Sequence, residues 1–363
     1  MCVTGAAPDL VRDALESGDP LPGTTGFAGE VDSVLVRDVL GRVPLFFDCD
    51  EPTRWSHDRT DLSDPCHLPA GHLHDGAEIR RCFRLPDPEP VSADRHAIET
   101  VREVIRGATS SVDQSGLAIA FSGGIDSAIL AAQLDVPLYT VGFPESHDIQ
   151  AARSAGALLD REIRVVSLDH EILEESIEPV VRATGRTNAM DVEIALPLYV
   201  LAERVRADGY DRLALGQGAD ELFGGYAKVA RAPSDPRVEA DTVRGARREL
   251  VETLPEQLER DVLTLRAAGI QPVVPLLSDR VVSTALSLPG EALVTARGER
   301  KWALRLAARP WLPDRIVFRE KKAVQYGSLV ARELDRLARQ NGFKRRVDDH
   351  VSEYIQSVCP NFR

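Results

Sequence analysis

LAIAFSGGIDSAIL (117–130) decides the fold. An apolar run from Leu117 to Phe121 leads into Ser122-Gly123-Gly124-Ile125-Asp126-Ser127, and an apolar stretch of good helix formers follows. That order reads as strand, tight turn and helix N-terminus. Backbone N–H groups at such a turn point at an anion, and the helix dipole favours negative charge there. Gly123 and Gly124 remove the Cβ atoms that would block a phosphate. Ser122 and Ser127 offer hydroxyl donors, and Asp126 offers a carboxylate for a hard cation such as Mg2+. A plain Gly-Gly turn is the competing reading, because turn glycines are common; the strand and helix patterns on either side weigh against it. The Walker pattern, GxxxxGK followed by Ser or Thr, occurs nowhere in the chain.

A second segment, LALGQGADELFGGY (213–226), follows about ninety residues later. Asp220 comes after the strand-like LALG (213–216), which puts it at the carboxyl edge of a parallel sheet, where ligands bind in open α/β folds. The rival reading makes Asp220 and Glu221 the start of the next helix and nothing more. A helical pattern over residues 94–108, a strand over 137–143 and a helix over 146–159 complete an α/β alternation.

SGGIDS resembles the pyrophosphate-binding loop of the ATP pyrophosphatase superfamily, whose members cleave ATP to AMP and pyrophosphate. GQGADELFGGY narrows the resemblance to asparagine synthetases and their relatives, the β-lactam synthetases. QPVVPLLSDRVVSTALSLP (271–289), ERKWALRLAA (299–308) and LPDRIVFREKKAVQYGS (312–328) are similar to that family's later motifs, in order. The resemblance covers roughly residues 95–330. It implies a C-terminal, parallel-sheet, Rossmann-like ATP pyrophosphatase domain with a helical C-terminal part. It also implies an ATP- and Mg2+-dependent amide synthase that activates a carboxylate as an acyl-adenylate, aspartate in the family, and passes it to ammonia. Carried over residue by residue, Ser122, Gly123, Gly124 and Ser127 hold phosphate, and Asp126 and Asp220 share Mg2+. Phe121, Val141, Leu215 and Gly216 hold the adenosine. Lys321, with Lys322 as the alternative by one residue of register, stabilises the pentavalent transition state.

Two positions depart from the family. Gln217 stands where asparagine synthetases carry a glutamate that assists adenylation. An amide can hydrogen-bond but takes up no proton near neutral pH, so a general-base role is lost or moves to Glu221. QPVVP (271–275) lacks the family's glutamate and arginine near the amino-acid substrate. Both departures leave ATP activation intact and bear on the acceptor. A related adenylating amide or lactam synthase, a tRNA-modifying relative and a nucleotide-binding pseudoenzyme are the alternatives.

The first domain reads as small and β-rich. GFAGEVDSVLVRDVLGRVPLFFD (26–48) alternates as two strands with a polar turn, and LPAGHLHDG (68–76) as a turn and a short strand. Three prolines in RCFRLPDPEPVSADR (81–95) mark a linker. VRDVLGRVPLFF and LPAGHLHDG resemble late strands of the glutamine amidotransferase domain that precedes the synthetase domain in asparagine synthetases, but the family's glutamine-holding runs have no counterpart. MCVTG resembles the start of that domain. Removal of Met1 would give Cys2 a free α-amino group as its own base, and a vestigial cysteine is the competing reading. The expected organisation is a truncated amidotransferase-like domain over 1–85, a linker over 86–94, the synthetase-like domain over 95–340 and a tail over 341–363, either a docking helix or a loose terminus.

Composition sets the outer bounds. Net charge is −13, and of 44 Lys+Arg only five are lysine: Lys228, Lys301, Lys321, Lys322 and Lys344. An acidic, lysine-poor chain suits a halophile. Where arginine is the general cation, a retained lysine is one whose compact ammonium is needed. The acidic balance argues against a nucleic-acid partner, with only short basic clusters such as Arg244, Arg247 and Arg248. Five cysteines at scattered spacings suggest no disulfide framework. Cys66, His67, His72, His74 and Cys82 have the spacing of no tight zinc pair and read as an ordinary turn with histidines. No apolar run approaches bilayer length and no secretory signal is visible, so a cytoplasmic enzyme is expected. Its substrates are small molecules, glutamine or ammonia among them, and a homodimer or a separate glutaminase subunit stays open.

Overall fold

The computed structural model describes residues 2–232, 234–319, 328–344 and 349–360. They form two compact units. The first comprises Met1–Val112, Gly216–Glu259 and Val274–Val317; the second comprises Asp113–Leu215, Arg260–Val273 and Phe318–Arg363.

Eight short strands lie in the first unit: β1 (Cys2–Thr4), β2 (Ala28–Val31), β3 (Val34–Arg37), β4 (Phe46–Asp48), β5 (Trp55–Ser56), β6 (Pro65–His67), β7 (His72–His74) and β8 (Ile79–Arg81). They make two antiparallel sheets, ordered β1-β2-β3-β7-β8 and β5-β4-β6. The polar turn expected in 26–48 is Asp32-Ser33. Both residues have positive φ, 50° and 66°, and Val31 pairs with Val34 across them. This is the two-residue hairpin whose twist matches the strands it joins. The same stretch holds a third strand, β4, that the two-strand reading missed. Phe27, Val31, Val36, Leu73 and Phe83 pack with Val11 and Ala14 of helix Pro8–Ser17.

Cys49 and Cys66 are joined in a disulfide, a pairing that the scattered cysteine spacings did not suggest. Antiparallel pairing sets Asp48 opposite Pro65 and Phe47 opposite Cys66. Cys49, one residue past β4, then has its Cα 5.3 Å from that of Cys66, within the usual reach of a disulfide. A separation of 17 residues hid this cross-strand neighbour. Nearby, His67 Nδ1 lies 3.5 Å from Glu259 Oε2.

A buried ion network ties separate parts of this unit together. Arg42 Nε donates to Asp38 at 2.9 Å, and its Nη1 reaches Asp279 and the Leu277 carbonyl, each at 2.7 Å. The other Asp279 oxygen accepts from Gly23 N, Thr24 N and Thr24 Oγ1. Burial works against the Arg42 charge, yet the two carboxylates outweigh it and hold its pKa above the ordinary value.

The stretch expected as a linker is fastened in the same way. Arg248 donates to the Leu85 and Pro86 carbonyls and Arg244 to that of Pro88. Arg247, fully buried, donates to Ala285 and Leu286, and burial beside Arg244 pulls its pKa down to about 10. This basic cluster is therefore occupied with backbone carbonyls.

The second unit carries five parallel strands, β9 (Leu117–Ala120), β10 (Leu138–Gly142), β11 (Ile163–Ser167), β12 (Arg212–Ala214) and β13 (Gln271–Val273), in the order β11-β10-β9-β12-β13. The α/β reading is borne out. Helices Ile125–Gln133, His147–Leu159 and Ala189–Ala207 pack against the sheet, and His170–Thr184 packs against Ala189–Ala207. In the tail, helix His350–Val358 buries Val351, Tyr354 and Ile355 against the unit's core. Among the described residues no helix is long and apolar enough to cross a membrane.

Removing one partner of the buried network should be severe. Asp279→Ala leaves Arg42 with a weakened set of partners and is expected to cost about 3–5 kcal/mol in equilibrium denaturation; an unchanged midpoint would refute the network's role.

Candidate active site

Strand order reverses beside β9. The chain runs from β9 outward to β10 and β11, then returns to place β12 on the other flank. Parallel registers Leu117↔Arg212 and Ala118↔Leu213 bring the carboxyl ends of β9 and β12 to one edge. Ligands of open α/β sheets bind at such a switch point, and the turn after β9 and Leu215 after β12 both start there.

The turn is locally determined. Phe121, buried, donates its N–H to Tyr139 O at 2.7 Å. Gly123 has φ 71°, and a Cβ there would stand 2.5 Å from the Ala151 carbonyl oxygen, so only glycine fits. Ser127 Oγ accepts from Ser122 N at 3.2 Å and donates to Gly124 O at 3.2 Å, closing the loop on itself. Gly124 is the N-cap of helix Ile125–Gln133, and no side chain caps that helix. Its leading N–H groups are donors of the kind an anion takes. Asp126 is buried in the first helical turn. Val141 is buried near the end of β10, and Leu215 N donates to Val273 O at 2.9 Å.

Gly216, Gln217 and Asp220 belong to the first unit. Gly218, with φ 86°, is the N-cap of the one-turn helix Ala219–Leu222, and a Cβ there would strike Leu277. Asp220 and Glu221 thus sit inside the first helical turn and neither caps it, which corrects the rival reading of them as an N-cap pair, and Asp220 also has a specific partner. Its Oδ1 lies 2.7 Å from Lys301 Nζ. Lys301 is buried, with φ 58°. The sequence reading did not assign it; its rarity in a lysine-poor chain was the available signal. Gly225 lies against this pair, since a Cβ there would stand 1.9 Å from Asp220 Oδ1 and 2.4 Å from Lys301 Cε. Glu221 is buried and accepts from the Tyr226 hydroxyl at 2.6 Å. Burial, with the Asp220 charge adding to it, raises the Glu221 pKa.

Cys2 is exposed on β1, a free thiol. Lys321 and Lys322 lie outside the described residues. No group of three or more His, Cys, Asp and Glu side chains among the described residues could cage a metal ion. A buried carboxylate at a phosphate-type turn still fits Mg2+, which takes one or two carboxylates and draws its other ligands from substrate phosphates and water.

The sequence matches the asparagine synthase family over residues 100–251 and 234–356. "Putative asparagine synthetase (glutamine-hydrolyzing) 1" of Methanocaldococcus jannaschii is 30% identical over 305 residues, covering 74% of this chain and 55% of the relative. "Asparagine synthetase (glutamine-hydrolyzing) 2" of Oryza sativa subsp. japonica is 24% identical over 360 residues, 88% of this chain and 58% of the relative. The chain therefore spans little more than half the length of the curated relatives it matches. Among solved structures, NMN synthetase from Francisella tularensis matches 74% of this chain and 94% of its own, with 14% identity and a TM-score of 0.32.

Gly123→Ala forces a side chain into a left-handed backbone, at about 1–2 kcal/mol, and against the Ala151 carbonyl. ATP affinity measured by titration calorimetry is expected to fall at least ~10-fold; an unchanged affinity would remove the turn from the phosphate site.

Proposed function

The chain belongs to the asparagine synthase family, and from that membership we propose that it is an ATP-dependent, AMP-forming amide synthase, a ligase. A carboxylate oxygen attacks the α-phosphorus of ATP and pyrophosphate leaves. Ammonia then attacks the acyl carbon of the adenylate, loses a proton and releases AMP, giving the amide. Attack and departure load negative charge onto phosphate oxygens, so fixed N–H dipoles and cations lower the barrier more than covalent help would.

The observation that carries this reading is the turn 122–127. Its glycine is fixed by contact with Ala151, and the helix it opens has no side-chain cap. Those N–H groups, with Ser122 and Ser127, suit the β- and γ-phosphates. Asp126 and Asp220 are the carboxylates proposed for the Mg2+ that arrives with ATP, whose charge would offset that of the phosphates. Phe121, Val141, Leu215 and Gly216 are proposed for adenosine, and Lys321, or Lys322, for the transition state.

Aspartate is the proposed acceptor, giving asparagine through β-aspartyl-AMP; the names of the relatives support it. Gln217 favours a second reading, in which another carboxylate is activated. It takes up no proton near neutral pH, and Glu221 is already engaged by Tyr226. Residues 1–85 are proposed as a shortened amidotransferase-like domain, joined through 86–94 to a synthetase domain over 95–340, with 341–363 as its tail. Nitrogen then comes as free ammonia, from glutamine at Cys2, or from a separate glutaminase subunit.

Pyrophosphate release tests this, with MgATP, ammonium and each carboxylic amino acid in turn, then with glutamine in place of ammonium. Release with aspartate, matched by AMP and asparagine, is expected; ATP binding without turnover on any acceptor would overturn the synthase. Asp126→Asn should lower release at least ~100-fold without loss of fold, and retained turnover would sink its metal role. Cys2→Ala should leave ammonia-dependent release unchanged, and a loss there would refute separate nitrogen and ATP chemistry.

A further inference from the structure

One carbonyl in the second unit serves two contacts. Ala151 O is the atom that a Cβ on Gly123 would meet at 2.5 Å, and it accepts a 2.9 Å hydrogen bond from Arg319 Nη1. Ala151 lies in helix His147–Leu159, whose N-cap Ser146 is buried and accepts from Ile149 N. The phosphate-type turn therefore rests on a helix that Arg319 holds from elsewhere in the sequence. Ser328, also buried, is anchored at the same sheet edge. Its carbonyl accepts from Phe143 N at 3.2 Å, and its Cα lies 3.5 Å from where a Cβ on Gly142 would stand.

We propose that Arg319 is a positioning residue for the β- and γ-phosphates of ATP, acting through the Ala151 carbonyl on the Gly123 turn. The inference rests on the proposed use of ATP. Gly123 has no side chain of its own to fix it, so its position depends on the surface it touches as well as on the Ser127 bonds to either side of it. A guanidinium presents several donors in a rigid plane and can hold a carbonyl while keeping its other contacts, which a flexible ammonium does less well. Displacement of a positioning element by about 1 Å costs on the order of 100-fold in well-aligned sites. The effect is selective, because the turn faces the β- and γ-phosphates and AMP has neither.

The test is titration calorimetry on the full chain with MgATP, magnesium pyrophosphate and AMP as separate probes. Arg319→Met is expected to weaken ATP and pyrophosphate at least ~10-fold and to leave AMP within about twofold, with Arg319→Lys between it and the unsubstituted protein. A general packing role would weaken all three ligands together or none, and either result overturns the inference. If Arg319→Met fails to fold, Arg319→Lys decides, and an unchanged ratio of ATP to AMP affinity is then the overturning result. Failure of the unsubstituted protein to bind ATP would sink the synthase reading and this inference with it. ATP binding that Arg319→Met leaves intact would sink this inference alone.

Discussion

The parallel pairing of β9 on both of its edges is the constraint on which the second unit depends. A strand covered on both faces and hydrogen-bonded on both sides can carry no polar side chain without a partner. Leu117, Ala118 and Ile119 meet that condition, each almost fully buried. Because β10 and β12 take opposite flanks, their crossovers separate, and the carboxyl end of β9 opens at the reversal. Phe121 is still bound to Tyr139, so the chain must turn at Ser122 and Gly123 before helix Ile125–Gln133 begins. The sharpness of that turn, and with it the left-handed Gly123, follows from the pairing.

The first unit is held by a different chemistry. Its strands are short, and buried arginines join segments distant in sequence. Arg37 donates to the Leu68 and Gly41 carbonyls and pairs with Glu259. Burial would raise the Glu259 pKa, but His67 and Arg37 hold it down at about 2. Among the described residues Arg247 donates to two carbonyls, those of Ala285 and Leu286. A planar fork can satisfy two carbonyls at once at a cost in desolvation that an ammonium would meet with fewer contacts. This gives a folding role to the arginine bias of the composition, beyond surface charge.

The sequence carried the second unit clearly because its signals are local. Apolar strands, a glycine turn and amphipathic helices all announce themselves within about fifteen residues. The first unit was less legible. Helix Pro8–Ser17 begins at a proline and ends at Gly18, start and stop signals that the strand-centred reading of the first domain passed over. Strand β4 was merged with its neighbours, and the Cys49–Cys66 bond depends on β4 and β6 pairing across a long excursion. The Arg42–Asp279 ion pair joins residues more than two hundred positions apart, and no periodicity records such a contact. Lys301 escaped for the same reason: its importance lies in the position of Asp220, which a sequence window around Lys301 does not contain.

The glycines of GQGADELFGGY show how much a motif of this kind reports. Gly218 is required by Leu277, and Gly225 by Asp220 and Lys301. Each is fixed by crowding within the fold, independent of what substrate is bound. Lys301 itself holds a left-handed backbone, a conformation that costs a lysine free energy, and the ion pair to Asp220 offsets that cost. Packing of this sort preserves the motif as a unit. Gln217 directly precedes Gly218 in the same segment. A match carried by such glycines reports the fold far more strongly than it reports the acceptor of the proposed reaction.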